Sequence, residues 1–143
     1  VAVHTPFRAE VLTPTGELFA GEVQQVSTRT VAGEIGILAK HQPLLGRLEP
    51  AELRLTLPDD GEVKRFIQTG GYLQVAQDGN VLLLVDHAYP VEEYDRADAE
   101  AQQREADERL EKTEPGTEAH RLARAGKRRA DALVRLGDTL QNR

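Results

Sequence analysis

The sequence predicts a β-sandwich of about eight to ten short antiparallel strands over residues 1–90, followed by an antiparallel two-helix hairpin over 91–143. Two features of the chain point to this. Up to about residue 88, short β-branched and apolar runs alternate with Asp-Gly and Thr-Gly turn signals; beyond it Ala, Glu, Arg and Gln take over. A length of 143 residues also allows one modest core with an appendage, and not two full cores.

Strands are expected at FRAEVL (7–12), EVQQVSTR (22–29), ELRLTL (52–57), VKRFIQT (63–69), YLQVA (72–76) and VLLLVDHA (81–88). Between them TPTGE, PDDGE and QDGN supply the positive-φ residues that tight hairpin turns require. In ELRLTL, Leu53, Leu55 and Leu57 share one face while Arg54 and Thr56 share the other, the pattern of a half-buried strand. VLLLV at 81–85 has no such alternation and is expected to be covered on both faces.

Asp95 is the expected N-cap of a helix running to about Lys112, with Asp98 adding negative charge at the same dipole end. TEPGT (113–117) breaks that helix, and Thr117 caps a second one. Its expected apolar face is Ala119, Leu122, Gly126, Ala130, Leu133, Gly137 and Leu140, at three- and four-residue steps. The helices should fold back on each other: acids outnumber Arg and Lys by 10 to 4 over 92–114, and basic residues outnumber acids by 7 to 3 over 117–143. The seam is thin, because the first helix offers alanines at 97, 99, 101 and 106 with only Leu110. Burying alanine contributes far less than the roughly 1.5–3 kcal/mol of a buried leucine, so the hairpin is marginal by itself.

No constellation for catalysis emerges. Ser27 is the only serine and lacks the Gly-x-Ser-x-Gly elbow of a hydrolase. Histidines 4, 41, 87 and 120 have no metal-ligand spacing, and His4 and His120 are expected to be solvent-exposed. GEIG (33–36) and TGG (69–71) carry neither a P-loop nor a dinucleotide fingerprint and read as turn or bulge glycines. The net charge of −6 argues against a general nucleic-acid binder. The basic run RLARAGKRRA (121–130) is expected to pair with the acidic first helix. Cysteine is absent, which fits a reducing compartment. VAVHTPFRAEVL has no basic n-region or apolar h-region, so no targeting segment is expected, and membrane association would run through partners. From the residues alone this is a non-catalytic interaction module; a free-standing adaptor using its basic helix on nucleic acid or another protein is the alternative.

Taken in order, VLTPTGELFAGEVQQVSTRTVAGEIGILAKHQPLLGRLEPAELRL, FIQTGGYLQVAQDGNVLLLVDHA and a charged helical hairpin closely resemble the ε subunit of F-type ATP synthases of the bacterial type. The resemblance covers nearly the whole chain. It implies a non-catalytic subunit of the rotor's central stalk, docked on the γ subunit and resting on the c-ring, which helps couple proton flow to ATP synthesis. It implies a location at the cytoplasmic face of a bacterial plasma membrane, held there by partners. Glu34 and His41 match family positions in a loop that meets the c-ring; Gly33 and Gly36 would let that loop turn tightly, and Pro43 would stiffen its exit. Many relatives have Pro-Gly before the histidine where this chain has Ala39-Lys40.

The family's hairpin can extend along γ into the catalytic α and β subunits and block ATP hydrolysis, and a thin seam suits a two-state element. Arg121, Arg124 and Arg128 would then meet acidic surfaces there. No cofactor is required by this resemblance. Some relatives bind ATP on the folded hairpin through an Ile/Leu-Asp-x-x-Arg-Ala motif and second-helix arginines. This chain reads Tyr94-Asp95-Arg96-Ala97-Asp98-Ala99, so Asp95 and Ala99 match while Asp98 takes the arginine position, where a carboxylate repels phosphate.

Overall fold

The computed structural model describes residues 4–141. The chain divides into two compact units, Val1–Glu92 and Glu93–Arg143. Arg143, counted above in the basic excess of the second helix, lies outside the described residues.

Among the described residues the first unit holds ten strands: β1 (Phe7–Thr13), β2 (Gly16–Val23), β3 (Gln25–Thr30), β4 (Gly33–Ile37), β5 (Leu44–Leu48), β6 (Ala51–Thr56), β7 (Val63–Gln68), β8 (Gly71–Val75), β9 (Val81–Val85) and β10 (Ala88–Pro90). They hydrogen-bond in the order β10-β7-β6-β3-β5-β8-β9-β1-β2, with β4 on the other side of β3. β3 is the shared strand: Gln25 to Ser27 pair with β6, and Thr30 pairs with Leu48 of β5. The sheet thus turns back over its own apolar face. All pairings are antiparallel except β1 with β9, which is parallel from Ala9↔Val81 to Leu12↔Leu84. Lys64 of β7 lies 5.9 Å from the centre of the Phe19 ring on β2, so β7, next to one end of the path, comes close to β2 at the other.

The core is built by alternation. Val11, Val26, Ile37, Leu53, Leu73 and Leu83 are fully buried, each with polar or exposed neighbours one residue away. EVQQVSTR is two strands, not one, because the chain corners at Gln24. That buried side chain satisfies the corner: its Nε2 donates to the Leu57 carbonyl at 2.9 Å and its Oε1 accepts from the His4 amide at 3.0 Å. VLLLV departs from the expectation of double coverage. Val81, Leu83 and Val85 are buried, but Leu84 is 48% exposed on the other face. GEIGI also departs from the reading as a loop: it forms β4, registered against β3 from Val26↔Ile37 to Thr30↔Gly33. Gly33 turns the chain at φ +127°, whereas Gly36 lies inside the strand with no positive φ and shapes no turn.

At the β7–β8 corner Gly70 and Gly71 both have positive φ, +117° and +135°. A Cβ on Gly71 would collide with the Leu84 carbonyl oxygen and stand 2.9 Å from the Val85 Cα, so β9 approaches β8 as only glycine permits.

In the second unit α1 (Arg96–Glu111) and α2 (Glu118–Gln141) run antiparallel. Asp95 caps α1, its Oδ1 accepting from the Ala97 amide at 2.9 Å, and the Thr117 hydroxyl accepts from His120 N at 3.1 Å at the start of α2. The polar ladder fixes their register: Arg96 to Asp138 at 2.6 Å, Gln103 to Asp131 at 2.8 Å, Lys127 to Asp107, and His120 to Thr113 at 3.0 Å. His120 is therefore half-buried rather than solvent-exposed as expected.

Ala99 and Ala106 on α1, and Ala123 and Ala130 on α2, are buried at seven-residue spacing. The start of the expected α2 face is rotated: Leu122 is 58% exposed and Ala119 is exposed, and Ala123 takes the inward position. Small residues at heptad spacing let the helices approach closely, which a leucine at that position would prevent.

Gly71→Ala is expected to destabilise the sandwich by at least about 1–3 kcal/mol, because the collision is with backbone and no rotamer relieves it. Urea denaturation should show a lowered midpoint; an unchanged midpoint would refute the close approach.

Candidate docking surfaces

The first surface follows the free edge of β4. Glu34, near its start, has a side chain 86% exposed and lies opposite Arg29 in the β3–β4 register. The Arg29 Nη1 stands 4.0 Å from Glu34, while its Nε donates to Glu49 Oε2 at 2.9 Å. Glu49 is held in turn by its backbone: the buried Gln68 Nε2 donates to the Glu49 carbonyl at 2.6 Å, and Gln68 Oε1 accepts from the Gly70 amide at 2.7 Å. Gly70 and Gly71 thus shape the corner that anchors Glu49, and not the edge itself.

Beyond the far end of β4, a turn closes with the His41 amide donating to the Leu38 carbonyl at 3.3 Å. Lys40 occupies its third position at φ +65°, a conformation natural to glycine. The His41 Nδ1–H donates to the neighbouring Gln42 carbonyl at 2.8 Å, which orients the ring on the exposed loop. Pro43 ends the loop directly before β5. Glu34 and His41 are therefore not adjacent; they bracket an edge strand whose outer backbone groups have no partner strand among the described residues, with Val31 (65% exposed) and Leu38 exposed beside its two ends.

A second surface escaped the sequence reading. On the outer face of β5-β8-β9-β1, Arg47, Tyr72, Leu84 and Leu12 lie in one cross-strand row, with Leu45, Gln74, Leu82 and Glu10 in the next. Leu45 is 73% and Tyr72 54% exposed. An apolar row of this kind on a sheet's outer face marks an interaction site. Its signal in the sequence was the missing polar alternation in VLLLV, which burial of only one face leaves unexplained.

The hairpin residues expected to act together do not meet. The side chain of Asp95 is occupied as a helix cap, and Asp98 Oδ2 accepts from Gln102 at 2.9 Å. Arg96–Asp138 sets the register there, so what faces Asp95 and Asp98 is the end of α2. Arg128, the nearest of the three arginines, lies ten residues before Asp138, about 15 Å along the axis, and Arg121 and Arg124 are farther. Arg121 pairs with Glu118 of its own helix at 2.5 Å, which holds the Glu118 carboxyl below its ordinary pKa. Of the basic run, Lys127 pairs across to Asp107, whereas Arg124 and Arg128 are exposed with no ion pair among the described residues.

Elsewhere the chemistry is quiet. Ser27 Oγ accepts only from Gln25 Nε2, and no cluster of three or more His, Cys, Asp or Glu suited to a metal occurs among the described residues. No helix among them is long and apolar enough to cross a membrane. Glu52, nearly buried, is matched by Arg65 at 2.7 Å, a hydrogen bond that raises the guanidinium's pKa further.

Residues 6–91 match the family described as ATP synthase, Delta/Epsilon chain, beta-sandwich domain. The ATP synthase epsilon chain of Sulfurihydrogenibium sp. (strain YO3AOP1) is 35% identical over 130 residues, covering 91% of this chain and 96% of that one. The ATP synthase epsilon chain of Bacillus licheniformis is 33% identical over 126 residues, 88% of this chain and 94% of its own length. A chain in the Euglena gracilis mitochondrial ATP synthase structure (OSCP/F1/c-ring) shares the fold with a TM-score of 0.70 at 20% identity, covering 93% of this chain and 82% of that one.

Asp95→Ala is expected to destabilise the hairpin by about 1 kcal/mol and Asp95→Asn by much less, since asparagine still caps. Thermal unfolding followed by the helical circular-dichroism signal checks both; equal melting of the two variants would show that the cap contributes nothing.

Proposed function

The chain belongs to the ATP synthase delta/epsilon chain family, and from that we propose that it is a non-catalytic central-stalk subunit of a bacterial F-type ATP synthase, coupling proton flow through the c-ring to ATP synthesis. The observation that carries this reading is the extent of the match. Relatives named ATP synthase epsilon chain align over about nine-tenths of both chains, sandwich and hairpin together. A free-standing nucleic-acid adaptor is not favoured by that match, nor by the net charge of −6.

Each surface then has a role. The exposed apolar side chains Leu45, Tyr72 and Leu84, spread over the two neighbouring rows, suit a permanent partner, and the γ subunit is the one assigned to them here. The β4 edge, with Glu34 and His41 at its ends and Lys40 at the turn, suits the polar loops of the c-ring. The hairpin is read as a brake on ATP hydrolysis that acts when α2 extends toward the catalytic α and β subunits, with Arg124 and Arg128 free to meet acidic side chains. ATP regulation through the hairpin is not part of this reading: Asp98 stands where some relatives have arginine, and Arg121, Arg124 and Arg128 lie about 15 Å or more along α2 from the Asp95 end. Membrane association follows from the assembly, at the cytoplasmic face.

Co-purification of the full chain with recombinant γ tests the assignment. Tyr72→Glu or Leu84→Glu is expected to weaken that association at least about tenfold while leaving the sandwich folded, because both side chains are exposed. Absence of γ binding by the unaltered chain would sink the reading. In the assembled enzyme, truncation after Val91 should raise ATP hydrolysis, and an unchanged rate would remove the brake. Isothermal titration with millimolar MgATP should give no binding heat.

A further inference from the structure

We propose that Tyr94, Arg96, Gly137 and Asp138 form a clasp at the open end of the hairpin, and that this clasp, rather than the seam along the helices, holds α2 closed on α1. Tyr94 is the one aromatic residue of residues 93–143. Its hydroxyl donates to the Leu133 carbonyl of α2 at 2.5 Å, and burial raises the phenol's pKa, against the opposing effect of Arg96. A Cβ on Gly137 would stand 2.7 Å from the Tyr94 Oη, 3.2 Å from its Cε1 and 3.1 Å from Arg96 Nη1. The ring and the guanidinium therefore occupy the space a side chain on α2 would fill. One residue on, Asp138 Oδ1 accepts from Arg96 Nη1 at 2.6 Å, while Arg96 Nε donates to Glu100 at 3.1 Å.

Gly137 is a poor helix former in the interior of a helix, and space for Tyr94 accounts for it. Gly126, in the same helix, has nothing within 4 Å of a built Cβ. The two glycines therefore separate helix propensity from the clasp. Away from the open end the helices meet through alanines and single polar pairs, and at the other end they remain joined by the 112–117 turn, with Gly116 at φ +86°. Opening is thus expected to begin at Tyr94 and Asp138 and to pivot on that turn.

The clasp is a property of the free chain. Only its consequence for hydrolysis rests on reading the hairpin as a brake. The sequence has no cysteine, so paired spin labels can be placed without background: Ala97→Cys with Thr139→Cys at the open end, and Arg109→Cys with Arg124→Cys near the turn. Electron–electron distance measurement on the full chain should give one narrow peak for each pair. Gly137→Ala should abolish the narrow open-end peak and leave the turn-end peak and the helical circular-dichroism signal in place. Tyr94→Phe, which keeps the ring and loses the hydroxyl, should broaden the open-end peak partially. Gly126→Ala should leave both peaks narrow and raise the melting temperature.

A narrow open-end peak in Gly137→Ala overturns the proposal. So does loss of both peaks together with the helical signal, which would mean that closure and helix formation are one event. A hairpin opened by Gly137→Ala that leaves hydrolysis by the assembled enzyme unchanged would refute the brake while upholding the clasp.

Discussion

The backbone of β9 passes so close to Gly71 that no side chain fits between them, and the register of the sandwich follows from that approach. Gly71 pairs with Leu48 on one side and Val85 on the other, so it ties β5, β8 and β9 together at one level. The corner preceding it is locked by Gln68, whose buried amide serves Thr28, the Glu49 carbonyl and the Gly70 amide at once. A slip of one residue would turn Leu73 outward and Tyr72 inward, and it would strand those buried polar groups. The rows on the outer face, Arg47–Tyr72–Leu84–Leu12 and its neighbour, exist because that slip is forbidden.

The same corner positions the β4 edge. Glu49 is fixed through its carbonyl to Gln68, and its carboxylate holds Arg29, which faces Glu34 across the hairpin. Exposed ion pairs contribute only about 0–1 kcal/mol each, so the effect is orientation more than stability. Glu34 remains solvent-facing beside a guanidinium already satisfied by another carboxylate, and it stays available to a partner.

The two units are stabilised by different means. The sandwich buries branched aliphatic side chains from eight of its strands in one cluster. The hairpin relies on capping, on alanine packing with only Leu133 and Leu136 as buried leucines, and on polar pairs that are worth little alone. An element held in this way responds to local change at one end, whereas the sandwich responds as a whole.

What the sequence determined by itself was whatever depends on near neighbours. The turns at PDDGE and QDGN, the caps at Asp95 and Thr117, and the break at TEPGT were all legible, because each arises from interactions within a few residues. Tertiary structure alone decided which apolar faces stay uncovered, as Leu84 shows, since covering a face requires a second layer from distant sequence. It decided that Ala123 and not Leu122 faces the seam, because helix phase is set by how closely the partner helix can approach. It also separated Asp95 from Arg121, Arg124 and Arg128, which only the register of one helix on the other could fix. Burial and juxtaposition are long-range properties; local pattern limits them but does not choose among the arrangements it allows.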